Sequence, residues 1–124
     1  MAERLSVLVV DDDTEQLDMV RRFLRLEGFE VEICSSPIGV SNLVRRMRPS
    51  VVLLDVNIPA LSGTNLLQLL KKQVDGDGTR FVLFSSEDTD KLRRLAGEFG
   101  ADDYIQKGVD GSALARRLRE VCAR

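Results

Sequence analysis

The chain alternates short apolar runs with longer stretches in which apolar residues recur at helical spacing. Leu5–Val10 is almost continuously apolar, and Phe81–Phe84 is wholly so. Val51-Val52-Leu53-Leu54 has no polar alternation, the pattern of a strand buried on both faces of a parallel sheet. Phe29–Cys34 instead places Phe29, Val31 and Ile33 on alternate positions, which predicts a strand nearer an edge. Asp103–Gln106 reads as a short last strand.

The intervening stretches predict helices. Thr14 is the expected cap of a helix in which Leu17, Val20 and Leu24 line one side, and Gly28 ends it. Ser36-Pro37 has the form of a helix start, with Val40, Leu43, Val44 and Met47 following and Pro49 closing the segment. Gly63–Val74 turns Leu66, Leu67 and Leu70 inward, and Asp75–Gly78 reads as a turn. Glu87–Phe99 carries Leu92, Leu95, Ala96 and Phe99, and Gly100 stops it. A final helix turns Leu114, Leu118 and Cys122 inward. Strands alternating with helices of crossover length predict an α/β fold, a parallel sheet covered on both sides. No linker or repeat interrupts 1–124, so one domain is expected.

Composition narrows the function. A net charge of −2 gives no case for non-specific nucleic-acid binding. The basic clusters Arg21/Arg22, Arg45/Arg46/Arg48, Lys71/Lys72 and Arg116/Arg117/Arg119 read as solvated helix faces. The absence of histidine removes Ser-His-Asp and Cys-His catalysis and histidine-bearing zinc sites. Cys34 and Cys122, far apart and in apolar patterns, are expected as buried free thiols in a reducing cytosol. No run has the length of a membrane span, and the N-terminal residues run straight into a strand without a signal peptide. A cytoplasmic protein is expected.

The chemistry gathers at the strand ends, where open α/β sheets place their ligands. Asp11, Asp12 and Asp13 follow the first strand, Asp55 the third, Ser85 the fourth and Lys107 the fifth. If the first and third strands are neighbours, carboxylates that repel one another are brought together and call for a cation. Oxygen ligands without histidine or cysteine select a hard ion such as Mg²⁺, whose half-filled shell suits phosphoryl oxygens. Lys107 would add a mobile positive charge, Ser85 a hydroxyl donor, and Asp55 a nucleophile able to form an aspartyl-phosphate. Taken singly each residue has a plainer explanation. Acids complement a helix N-terminus, and hydroxyls and lysines are common at strand ends.

These residues resemble the receiver domains of two-component response regulators over essentially the whole chain. The matching pieces are Val10-Asp11-Asp12, Leu54-Asp55 with Asn57, Pro59 and Gly63, Phe84-Ser85-Ser86, and Gly100-Ala101-Asp102-Asp103-Tyr104 leading to Lys107. The resemblance implies a flavodoxin-like doubly wound (βα)5 sheet in strand order 2-1-3-4-5. It implies a signalling switch rather than an enzyme acting on an external substrate. Asp55 would accept a phosphoryl group from a phosphohistidine of a histidine kinase or histidine phosphotransfer protein. Asp12, Asp55 and the backbone carbonyl of Asn57 would hold Mg²⁺, with Asp11 reaching it through water. Lys107 and Ser85 would contact phosphoryl oxygens. Tyr104 would turn inward as Ser85 moves, reshaping the surface of the fourth helix, fifth strand and fifth helix for a downstream protein target or a fused effector. Asn57 and Glu87 would flank the path of an attacking water, as in chemotaxis-type single-domain receivers, and give a short-lived phosphoryl state.

The chain departs from the family at Lys107-Gly108, where Lys-Pro is usual, and this puts the precision of the lysine contact in question, not its presence. A pseudo-receiver, the fold kept as a constitutive interaction module, is the alternative reading. A magnesium phosphohydrolase of the haloacid-dehalogenase type wants a second Asp where Asn57 stands, and no phosphate-binding glycine motif follows any strand. With the last helix running nearly to Arg124, no effector domain is expected, no direct nucleic-acid contact and no membrane. Homodimerisation, the kinase and the target stay open.

Overall fold

In the computed structural model, which describes residues 4–57, 62–73 and 78–124, strands and helices alternate along the chain. They are β1 (Ser6–Val10), α1 (Thr14–Leu26), β2 (Glu30–Cys34), α2 (Val40–Met47) and β3 (Val51–Leu54). There follow α3 (Gly63–Gln73), β4 (Arg80–Ser85), α4 (Thr89–Phe99), β5 (Asp103–Gln106) and α5 (Gly111–Cys122). Pro59, Leu61, Val74 and residues 75–77 of the expected turn lie outside the described residues.

All strands are parallel in the order β2-β1-β3-β4-β5, the order the resemblance implies. The unalternating strands are buried on both sides because each face meets its own core. Val7 and Val9 of β1 point into the core under α1 and α5, with Leu17, Leu24 and Leu118. Leu8 and Val10 point into the core under α2, α3 and α4, with Val44, Leu67 and Leu92. At the edge, β2 begins one residue after the expected start: Phe29 just before it and Val31 within it are buried, and Ile33 is only partly covered.

Several local expectations need correction. The cap of α1 is Asp13, whose Oδ1 accepts from the Glu15 and Gln16 amides at 3.1 and 3.2 Å, and Thr14 is the first helical residue. Ser36-Pro37 makes a turn, not a helix start. Ser36 Oγ accepts from the Ile38 amide, the Pro37 carbonyl accepts from Val40, and α2 begins only after Gly39. Glu87 precedes α4, which Asp88 caps through the Lys91 amide at 2.9 Å. Asp55 lies just beyond β3, its amide donating to the Val10 carbonyl.

Cys34 and Cys122 are free but half-buried rather than buried. Cys34 Sγ donates to the Ser36 carbonyl at 3.0 Å, and burial pushes the Cys122 thiol up. The arginines of α5 are not all solvated. Arg117 donates to Asp103 and to the Tyr104 carbonyl at 2.9 Å, fastening α5 to β5, and Arg119 donates to the Glu27 carbonyl. Among the described residues no helix is long and apolar enough to cross a membrane.

Candidate functional site

The order of strands puts the ends of β1, β3, β4 and β5 side by side on one rim. Carboxylate oxygens of Asp11, Asp12 and Asp55 lie within 4.8 Å of one another. Asp11 and Asp55 are buried, 1% and 7% exposed, whereas Asp12 faces solvent. Ser85 is fully buried at the end of β4. Lys107 follows β5 and reaches back across the rim.

Similar local turns orient the groups at three strand ends. The Asp13 amide donates to Asp11 Oδ1 at 3.0 Å, the Asn57 amide to Asp55 Oδ1 at 3.1 Å, and the Glu87 amide to Ser85 Oγ at 3.3 Å. Such turns, in which a side chain accepts from the amide two residues on, hold the polar atom at the point where the strand breaks. One oxygen of each buried carboxylate is thereby occupied. The other faces the lysine: Lys107 Nζ lies 2.5 Å from Asp11 Oδ2 and 3.2 Å from Asp55 Oδ2.

Burial raises the Asp11 carboxyl above its usual range, although the bonds from Lys107 and the Asp13 amide pull the other way. Burial also works against the Lys107 ammonium, but Asp11 and Asp55 together outweigh it and hold the group above its ordinary value. The Phe84 ring, 5.8 Å from Nζ, lies under the same ammonium.

Gly108 answers the departure from Lys-Pro. Its peptide with Lys107 is trans and its φ is +107°, a conformation a side chain rarely adopts and a proline ring forbids. The Lys107 amide donates to the Ser85 carbonyl at 2.8 Å and the Lys107 ammonium bridges both carboxylates.

The donor set fits a divalent cation. Three carboxylates against one ammonium leave an excess of two negative charges when all are ionised. Every side-chain donor in the cluster is an oxygen. Hard, oxygen-preferring divalent cations are the ions such a set suits.

A family model described as the response regulator receiver domain matches residues 7–119. The chain belongs to this family. Receiver domains of response regulators are signalling switches of two-component systems rather than classical enzymes. The receiver is 36% identical over 127 aligned positions to the transcriptional regulatory protein CseB of Streptomyces avermitilis, covering 100% of this chain and 52% of that protein. To the DNA-binding response regulator MtrA of Mycobacterium leprae it is 34% identical over 117 positions, 94% of this chain and 50% of that one. The chain thus spans about half the length of these curated relatives.

Among solved structures, a CheY-like receiver domain protein of Methanospirillum hungatei superposes with a TM-score of 0.86 at 27% identity, covering 98% of this chain and 95% of that one. The BeF3-activated N-terminal receiver domain of Klebsiella pneumoniae RstA gives 0.85 at 29% identity, covering 96% and 99%.

Asn57 and Glu87 meet at the mouth of the site, where Asn57 Nδ2 donates to Glu87 Oε1 at 3.2 Å. Tyr104 lies farther back, half-buried against the core under α2, α3 and α4, and pairs across the sheet with Leu83. Two contacts at Glu87 were not anticipated. Lys91 Nζ lies 3.3 Å from Glu87 Oε1, and Gln106 Nε2 donates to the Glu87 carbonyl at 3.2 Å. The first was visible in principle as an i,i+4 pair of opposite charge. The second depends on the pairing of β4 with β5 and has no local signal.

Proposed function

We propose that this receiver is a phosphorylation-dependent switch in which Asp55 accepts a phosphoryl group from a phosphohistidine on a histidine kinase or phosphotransfer protein. An Asp55 carboxylate oxygen attacks phosphorus. The P–N bond breaks, its electron pair returns to the imidazole nitrogen, and that nitrogen takes up a proton. Such transfer needs little covalent help from the protein, and positioning and charge supply most of the catalysis.

The single observation that carries the reading is the junction of Asp11, Asp12 and Asp55 with Lys107 Nζ between the two buried members. Asp12, Asp55 and the main-chain carbonyl of Asn57 are the residues that would hold Mg²⁺, with Asp11 behind them. A bound divalent cation supplies the positive charge that offsets repulsion between the carboxylates and an incoming phosphoryl group. Lys107 would pass from the Asp55 carboxylate to an oxygen of the transferred group. Ser85, whose Oγ accepts from the Glu87 amide, would donate its hydroxyl proton to another such oxygen.

A shift of Ser85 would act on the output surface through Tyr104, which lies half-buried on the neighbouring strand. The surface of α4, β5 and α5 would then change for a downstream target or a fused effector. In this reading the receiver works in the cytoplasm and touches neither nucleic acid nor membrane itself.

The test is phosphoryl incorporation from acetyl phosphate with and without Mg²⁺, beside Asp55→Asn. Incorporation that requires both the cation and Asp55 is expected. A folded protein that takes up none would leave a constitutive interaction module instead.

A further inference from the structure

We infer that Lys91 is a positioning residue for loss of the phosphoryl group, acting through Glu87; this rests on the receiver reading of Asp55. Glu87 is held at several points. Its amide donates to Ser85 Oγ at 3.3 Å and its carbonyl accepts from Gln106 Nε2 at 3.2 Å. Its carboxylate oxygen Oε1 accepts from Asn57 Nδ2 at 3.2 Å and lies 3.3 Å from Lys91 Nζ. An amide donor from the loop after β3 and an ammonium from the first turn of α4 therefore converge on one oxygen. Among the described residues Oε2 has no hydrogen-bonding partner. The oxygen left over is the one able to accept a hydrogen bond from water.

In the hydrolysis, a water oxygen forms a new bond to phosphorus as the bond between phosphorus and the Asp55 oxygen breaks. Asp55 leaves as a carboxylate, and both protons of the water remain on the released dihydrogen phosphate. A carboxylate orients that water only while it stays at the mouth. Glu87 is a long side chain, 28% exposed. Asn57 alone holds it by a single neutral donor. Lys91, one turn along α4, adds a charged tether. Without Lys91 the carboxylate would spend more of its time away from the water path.

The experiment loads the protein from acetyl phosphate with Mg²⁺, removes the donor and follows decay of the phosphoryl group. Lys91→Ala is expected to slow decay by about two- to fivefold, the range a partly exposed ion pair supports. Lys91→Arg should restore most of the parent rate. In a Glu87→Ala background Lys91→Ala should change nothing further, because the lysine would have nothing to hold. High salt should slow the parent toward the Lys91→Ala rate and leave the variant almost unaffected.

Normal uptake with Lys91→Ala decay equal to the parent would overturn the inference and leave the receiver reading intact. Equal slowing in the Glu87→Ala background would also overturn it, since Lys91 would then act by another route. A parent that takes up no phosphoryl group overturns both together.

Discussion

Gly63 lies directly against the main chain of Asp55: a Cβ at this position would stand 2.0 Å from the Asp55 carbonyl oxygen. The first turn of α3 is thereby packed onto the backbone that presents the Asp55 carboxylate. The Gly63 amide donating to the Val56 carbonyl belongs to the same close approach. Gly63→Ala therefore pushes the loop, not a flexible side chain. We expect a loss of about 1–3 kcal/mol, the cost of overpacking, read as a lower urea midpoint with an unchanged slope. Phosphoryl uptake should fall further than that loss accounts for, because the displaced atoms carry Asp55.

The loop at Gly108 gives a second prediction. With φ at +107°, any side chain here is strained whatever the space around it. Gly108→Ala should cost about 1–2 kcal/mol, although nothing lies near enough to clash. The contrast with Gly63 is useful, since one substitution fails by collision and the other by backbone conformation. A midpoint for Gly108→Ala equal to that of the parent would contradict the assigned loop.

Divalent cation binding should be visible as stability. A ligand that binds only the folded state at tenfold excess over its Kd contributes about 1.4 kcal/mol. Mg²⁺ should accordingly raise the melting temperature by several degrees. Asp12→Asn should remove most of that rise while barely changing the metal-free protein, because Asp12 is exposed. Equal rises in parent and variant would remove Asp12 from the cation site.

The pH dependence follows from Asp11. Its carboxyl is raised in the folded protein by burial, so between the ordinary carboxylate value and the raised one the native state binds more protons. Stability falls as pH rises through that window, and an ionised Asp11 lowers metal-free stability at neutral pH. Asp11→Asn should therefore melt above the parent at pH 7 in chelator, with the gap closing as pH approaches the usual carboxylate range. Lys107 has the same sign at the other end of the scale. Its raised value means that its contribution is present below the ordinary lysine range and is lost as pH climbs through the folded value.

Much of this site could be read before any coordinates. The unalternating runs at β1, β3 and β4 require two covered faces, and the acids, hydroxyl and lysine stand where those runs and β5 break. Their convergence was not readable from the runs alone. It depends on β1 lying between β2 and β3, an order implied by family resemblance and not dictated by hydrophobic pattern.

The helix starts were less legible. Thr14 and Ser36-Pro37 both have cap chemistry, but Asp13 carries a better-placed acceptor, and Ser36 spends its hydroxyl on a turn. Arg117 looked like one more surface charge, because its partners Asp103 and the Tyr104 carbonyl are contributed by a strand whose position the helix pattern does not reveal.

The bridge from Lys107 to Asp11 spans 96 positions and joins the end of the last strand to the end of the first. Synthesis begins at the other end, and domains fold as units once their residues are available. A chain still on the ribosome therefore carries Asp55 long before it carries the cation that partners it. Until β5 has emerged and docked, the acidic rim has no ammonium between its buried members. The two buried carboxylates thus gain their ammonium only when β5 joins the sheet, so charge pairing at the rim coincides with completion of the sheet.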